Sequence, residues 1–273
     1  AASDLYKRQE IINQKYKSLS KFKNDFFSAS PFPYLILDDF LDTEYFKVLT
    51  ATLQQNNDIL MGKNFASDVE SNKSISTNSQ LPDLVTNIVD ELNTQNWVDN
   101  FKKLTGIETL VASNSKLANY HEMESGGLLG PHVDHSSEPN LGLPHVLNII
   151  IYLSSDWEVD FGGSTIFFNP TGVEAKSKVE YIPNRAVIFL HTPYSFHGVD
   201  RLKDNGDIKR KTLYIDYYSE SITPFKHMEL PFKNHWFKHG TTFILPKLSD
   251  YLKSQNRNYA KTYIKYLFGK AVS

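Results

Sequence analysis

Two stretches, 130-GPHVDH-135 and 145-HVLNIIIYL-153, decide how this chain folds. In an extended segment alternate side chains share a face. His132 and Asp134 then aim together from one strand end, with Val133 facing away. The run Val146 to Leu153 is apolar except for Asn148. It reads as a strand, and its eight residues are far too few to cross a bilayer. On that strand Tyr152 shares its parity with Asn148 and Ile150.

Working outward, short β-branched and aromatic runs recur at 109–121, 145–153, 163–168, 179–182, 185–190 and 209–218. Gly162-Gly163 and Asn169-Pro170-Thr171-Gly172 supply turns between them. This pattern is that of a sandwich or barrel. The expected fold is mainly β with flanking helices: a double-stranded β-helix, or jelly roll, over 109–224. Residues 1–108 form a helical and strand support integral to the fold, and 225–273 a C-terminal extension. In the support, 4–29 has helix-like apolar spacing, ended by Ser30-Pro31-Phe32-Pro33. Tyr34 to Leu37 reads as a strand, and Asp42-Thr43-Glu44 opens a helix to about Gln54. The polar stretch 56–81 reads as a long surface loop, a candidate lid. Pro82 to about Leu104 reads as helix with Trp97 and Phe101 toward the core, and Leu245 to about Phe268 as a terminal helix.

Composition narrows the function. The chain has 273 residues, 40% hydrophobic and 13% aromatic, enough for one sizeable core. A net charge of −2 and the lack of a basic, aromatic-interleaved tract argue against a nucleic-acid partner. No membrane segment is expected, and the first four residues do not read as a signal peptide. With no cysteine there is no disulfide, thiolate zinc site, iron–sulfur cluster or cysteine nucleophile. A reducing, cytoplasmic setting is the expectation.

His197 starts another candidate strand 63 residues beyond Asp134. Two imidazoles and one carboxylate can hold one face of an octahedral ion and leave the opposite face open. Such donors favour Fe(II) or Mn(II). Arg210 follows 13 positions later and is one of only five arginines. It shares a strand face with Thr212, and a guanidinium with a hydroxyl suits the far carboxylate of a diacid. Lys209 or Lys211 are alternative anchors, and a solvated Arg210 in this basic run is the plainer one. Tyr152 can join the same carboxylate if its face is inward; otherwise it is a core tyrosine. Asp216 lies on the Arg210 face, where it either meets a cationic substrate group or ends the strand in solvent. His135 is a candidate substrate contact, with the surface as its alternative. The parity of His145, opposite to that of Tyr152, places it outside the pocket, and His191 reads as structural. The acidic turn around Trp157 reads as surface. Specificity is expected from the loops 135–144 and 56–81.

Tyr120 ahead of "GPHVDH", then "NIIIYLSSDWEVDFGGSTIFF", "PNRAVIFLHTPYSFHGV" and "RKTLYIDYY", resemble the Fe(II)/2-oxoglutarate-dependent oxygenases, and among them the prolyl 4-hydroxylase-like group. The resemblance covers roughly residues 110–220. It implies that His132, Asp134 and His197 bind iron and that Arg210, Thr212 and Tyr152 hold 2-oxoglutarate. Tyr120 matches the family's tyrosine upstream of the metal motif and implies a wall of that pocket. Gly162-Gly163 matches the family's glycine pair. The insert "RLKDNGDI" lengthens the usual gap between His197 and Arg210 and leaves the register at Arg210 open. The implied cofactors are Fe(II), 2-oxoglutarate and O2, with ascorbate as an optional reductant. Related halogenases carry a small residue where Asp134 stands, so hydroxylation is implied instead.

The expected function is hydroxylation of an unactivated C–H, first of a prolyl residue in a protein or peptide. The alternative is a tailoring hydroxylase for a free amino acid, sugar or natural-product intermediate. A non-enzymatic, cupin-like binding domain is the distant third. Fold alone does not choose among them.

Overall fold

Leu147, Ile149 and Ile151 point one way from a single strand, Asn148, Ile150 and Tyr152 the other, and all six are buried. That strand is the middle of the fold, and burial on both faces explains its nearly continuous apolar run. The structure, a computed structural model, describes residues 10–55, 63–65, 70–77, 81–112, 119–220 (except 136, 139, 141, 171 and 193) and 242–243.

Two 3-10 turns, Gln14–Tyr16 and Ser20–Phe22, lead into α1 (Lys23–Ser28). β1 (Tyr34–Leu37), α2 (Thr43–Gln55), β2 (Lys63–Phe65), β3 (Glu70–Thr77), α3 (Asp83–Leu92) and α4 (Gln95–Thr105) follow. Then come β4 (Leu110–Val111), β5 (Asn119–Val133), β6 (His145–Tyr152), β7 (Thr165–Phe168) and β8 (Ala175–Val179). β9 (Ala186–Leu190), β10 (His197–Val199), β11 (Arg210–Ser219) and β12 (Thr242–Phe243) complete the described elements.

The strands run in the order β1-β9-β6-β11-β5-β10-β7-β8, all antiparallel. β5 is 15 residues long and serves both halves of a double-stranded β-helix. Residues 119–123 lie between β11 and β3, while Leu129 and His132 pair with β10. The strand turns over at a glycine pair. Gly126 has φ +76°, and a Cβ on Gly127 would lie 2.8 Å from the Glu124 carbonyl. Only glycine accepts both demands without strain.

Helices cover the outer face of the larger sheet. In α3, Val85, Ile88, Val89 and Leu92 are fully buried at helical spacing. With Trp97, Phe101 and Leu104 of α4 they join Leu147, Ile149, Ile151, Leu213 and Ile215 in one core. A second core, with Ile150, Tyr152, Phe167, Tyr181 and Phe189, fills the space between the sheets. Among the described residues no helix is long and apolar enough to cross a membrane.

Three expectations are corrected. The stretch 4–29 is not one helix. From residue 10 onward it is two 3-10 turns and the six-residue α1. Asn13 N donates to Phe40 O and Asp42 N to Ile11 O, which ties residues 11–13 alongside 40–42. The stretch 56–81 is not simply a loop, because β3 pairs with β5 from Glu70 to Thr77 and β2 pairs with β3. Backbone bonds to β5 on one side and β2 on the other hold a strand whose own side chains are mostly polar. The helical stretch after Pro82 is two helices, broken at Asn93-Thr94, with Trp97 and Phe101 buried as expected. The rest of the proposed lid and the proposed helix 245–268 lie outside the described residues.

A Cβ on Gly198 would lie 2.5 Å from the Leu129 carbonyl, across the β5–β10 pairing. Gly198→Ala is expected to push the two strands apart. It should cost about 1–3 kcal/mol and weaken divalent-metal binding. Wild-type melting temperature and metal affinity in that variant would contradict this packing.

Candidate metal centre

Strand pairing builds the centre. His197 on β10 stands directly opposite His132 on β5. Both rings are buried, with centroids 4.3 Å apart. Asp134 follows the end of β5 and places its carboxylate between them. Oδ1 is 3.3 Å from His132 Nε2, and Oδ2 is 3.3 Å from His197 Nε2. One donor atom from each residue lies within 4.8 Å of the other two. No other such group exists among the described residues.

The second nitrogen of each ring fixes its tautomer. His132 Nδ1 lies 2.9 Å from Gly130 O, and His197 Nδ1 lies 3.0 Å from Ser195 O. A carbonyl only accepts, so each Nδ1 carries the hydrogen, and Nε2 is the ring nitrogen that could coordinate a metal. Asn148 Nδ2 donates to Asp134 Oδ2 at 2.9 Å. Burial pushes the Asp134 carboxyl up, but His197 and His132 hold it well below the usual range. It is therefore an anion. Burial and His197 lower His132. For His197 burial acts the same way, but Asp134 outweighs it and raises the value. A metal would displace that proton. Two imidazoles and a carboxylate, with no thiolate, fit Fe(II) or Mn(II).

Beside the triad lies a buried cation. Arg210 begins β11 and is 0% exposed. Its guanidinium carbon lies 5.4 Å from the Tyr152 ring centroid and 5.0 Å from that of Tyr181. Nε donates to Gly163 O at 2.6 Å, and Nη2 makes a long contact of 3.5 Å to Thr165 Oγ1. Nη1 of Arg210 and Oγ1 of Thr212 have no partner among the described residues. An unmatched buried charge is costly, so this is a cradle shaped for an anion. A Cβ on Gly163 would meet Arg210 Cδ at 3.0 Å and Trp157 at 2.9 Å, which accounts for glycine there.

The structure brings most of the expected residues together. The register is definite despite the long connection before β11: Thr212 faces Tyr152 on β6 and His121 on β5. The Tyr152 hydroxyl bonds Thr165 Oγ1 at 2.6 Å, and burial raises it to about 12, so it remains a phenol. Thr165 and Tyr181 were not expected; nothing in their local sequence distinguishes them from other strand residues.

Tyr120 is not a pocket wall. It pairs with Leu213, lies in the helix-side core and donates to Glu122 Oε1 at 2.9 Å. Alternation gives the inward place to the next residue, since a one-residue offset reverses the face. His121 takes it, stacked on Tyr214 at 4.2 Å, with neither ring nitrogen partnered among the described residues.

Asp216 faces inward opposite Asn148. Its carboxylate is 3.7 Å from His135 Nε2 and 3.5 Å from His145 Nε2, and His135 Nε2 is 2.9 Å from the Tyr218 hydroxyl. Burial raises Asp216 to about 7, against the pull of His135 and with the push of Asp134. His145 is therefore not outside the pocket. It is 0% exposed and stacks on His191 at 4.0 Å. A register shift between Tyr217 and Tyr218 sets His145 opposite Tyr218, which breaks the parity argument. Trp157 is likewise buried, against Tyr181, rather than on the surface.

Residues 116–217 match the family profile described as the 2OG-Fe(II) oxygenase superfamily. No curated protein sequence matches the chain. Among solved structures, a Pseudomonas putida prolyl-4-hydroxylase aligns with TM-score 0.55 at 14% identity, over 74% of this chain and 100% of that one. A prolyl 4-hydroxylase from Phytophthora capsici aligns at 0.53 and 14%, over 92% and 77%. The epimerase SnoN, in complex with Fe3+, alpha ketoglutarate and nogalamycin RO, aligns at 0.54 and 13%, over 84% and 96%. At these identities the likeness is one of fold.

The buried imidazoles make a pH prediction. Burial holds His121, His132, His145 and His191 below the ordinary value of 6.5. Each stays neutral in the folded protein where the unfolded chain would be protonated. Stability therefore falls as pH drops through 6.5, by on the order of 1 kcal/mol per pH unit per group. Asp216, with its raised value of about 7, acts in the opposite sense below 7 but is one group against four. The benefit from His197, also raised, is fully present below 6.5 and adds no slope there. The metal-free protein should show a lower urea midpoint at pH 5 than at pH 6.5. A midpoint that holds or rises on acidification would refute the buried neutral set.

Proposed function

We propose that this protein, whose residues 116–217 match the 2OG-Fe(II) oxygenase superfamily, is a 2-oxoglutarate-dependent dioxygenase that hydroxylates an unactivated C–H bond of a prolyl residue in a protein or peptide. The observation that carries the oxygenase reading is that buried Arg210 Nη1 and Thr212 Oγ1 have no hydrogen-bond partner among the described residues, in a fold that also holds a His-Asp-His triad. His132, Asp134 and His197 would hold Fe(II). Arg210 Nη1 and the Thr212 hydroxyl would receive the distal carboxylate of 2-oxoglutarate through charge-assisted hydrogen bonds. Iron, when bound, supplies the redox chemistry that couples decarboxylation of 2-oxoglutarate by O2, to succinate and CO2, with oxygen transfer to carbon.

The chain's own groups do the rest. Gly163 O and the Tyr152 and Tyr181 rings hold the guanidinium rigid before the diacid arrives. Tyr152, a phenol tied to Thr165, lies across from Thr212 and walls the same end. Apolar side chains between the sheets, Ile150 and Phe189 among them, keep water from this space.

Prolyl specificity is supported by the resemblance of the stretch containing Trp157 and Gly162-Gly163 to prolyl hydroxylases. A second reading, a small-molecule tailoring hydroxylase, is supported by the polar wall of Asp216, His135, His145 and Tyr218. Asp216 and His135 would then contact an amine or hydroxyl of the substrate.

Succinate formation measured against prolyl peptides and a panel of free amino acids and sugars separates the two. The prolyl reading expects stimulation by peptides, with one oxygen atom gained on proline. Stimulation by free metabolites alone would remove it. Arg210→Met is expected to raise the KM for 2-oxoglutarate roughly 10- to 100-fold with unchanged metal affinity. An unchanged KM would show that the diacid binds elsewhere.

A further inference from the structure

Asn148 is the polar residue in the midst of an apolar strand, and it is 1% exposed. A buried amide costs free energy unless its hydrogen bonds are made. A leucine would extend the flanking pattern, so packing alone gives no reason for asparagine here.

The reason lies at the triad. Each triad side chain has a hydrogen bond that sets its orientation. For His132 and His197 the partners are main-chain carbonyls, those of Gly130 and Ser195. For Asp134 the partner is the side chain of Asn148, at 2.9 Å. Asp134 also lies just past the end of β5, outside its ladder of backbone bonds. The amide is unambiguous in its sense, because an ionised carboxylate only accepts. Nδ2 must face Asp134.

We propose that Asn148 is the positioning residue for the metal-binding carboxylate. Its amide occupies Oδ2, fixes the carboxylate plane and leaves Oδ1, on the His132 side, as the single oxygen for the ion. A carboxylate free to turn can bind through both oxygens and close a coordination position that the cosubstrate needs. This inference rests on the Fe(II) reading of the triad.

The test is a Co(II) titration of the metal-free protein, read by visible d–d absorption and by competition with a chelating dye. Asn148→Leu keeps the bulk and removes the donor. It should weaken Co(II) binding about 10- to 100-fold and change the band shape, with the melting temperature of the metal-free protein near wild type. Asn148→Ser, which empties space instead of filling it, should do the same and serves if the leucine variant does not fold. Wild-type affinity and spectrum in a folded variant would overturn the role of Asn148 alone. A wild-type protein that binds no Co(II) would overturn the triad reading, and this inference with it.

Discussion

The pairing of β5 with β10 is the constraint on which the rest depends. It sets His197 against His132, and the carboxylate of Asp134 follows from the same strand end. β5 reaches that pairing only because it turns over at Gly126-Gly127 and passes from one sheet to the other. A bend in one strand therefore converts an HxD spacing into a three-donor site. Main-chain carbonyls orient both imidazoles, so the backbone supplies much of the preorganisation.

The second constraint is a charge imbalance. Arg210 is wholly buried, stacks against two tyrosines and donates to a carbonyl, and no carboxylate pairs with it among the salt bridges of the described residues. Cation–π contacts offset part of the desolvation cost. A dianionic cosubstrate would offset more, and binding it would stabilise the folded protein by linkage. The fold thus holds a buried positive centre at Arg210 and a triad whose donors suit a cation. A diacid with a keto oxygen beside one carboxylate would offer a group to each.

Much of the site was legible in the sequence because two periodicities suffice for it. Period-two alternation put Arg210, Thr212 and Asp216 on one face of β11, and the pairing to Tyr152 follows from the register. Parity without a register does not say which face is inward, so the inward place expected for Tyr120 belongs to His121. A bulge-like shift at Tyr217/Tyr218 defeated the same argument for His145. β3 was hidden because its neighbour's backbone, not its own apolar content, holds it. The N-terminal stretch had helical spacing but is tied by long-range bonds to residues 40–42. Asn148 is the polar break in an apolar run, and its partner Asp134, 14 residues away in sequence, is set by the fold.

The central claim is that one ferrous ion and one 2-oxoglutarate share this cavity. Anaerobic absorption spectroscopy tests it most directly. Fe(II) and 2-oxoglutarate added together should produce a weak visible charge-transfer band that neither gives alone, and His197→Ala should abolish it. No band in the wild-type protein, or an unchanged band in His197→Ala, would contradict the account.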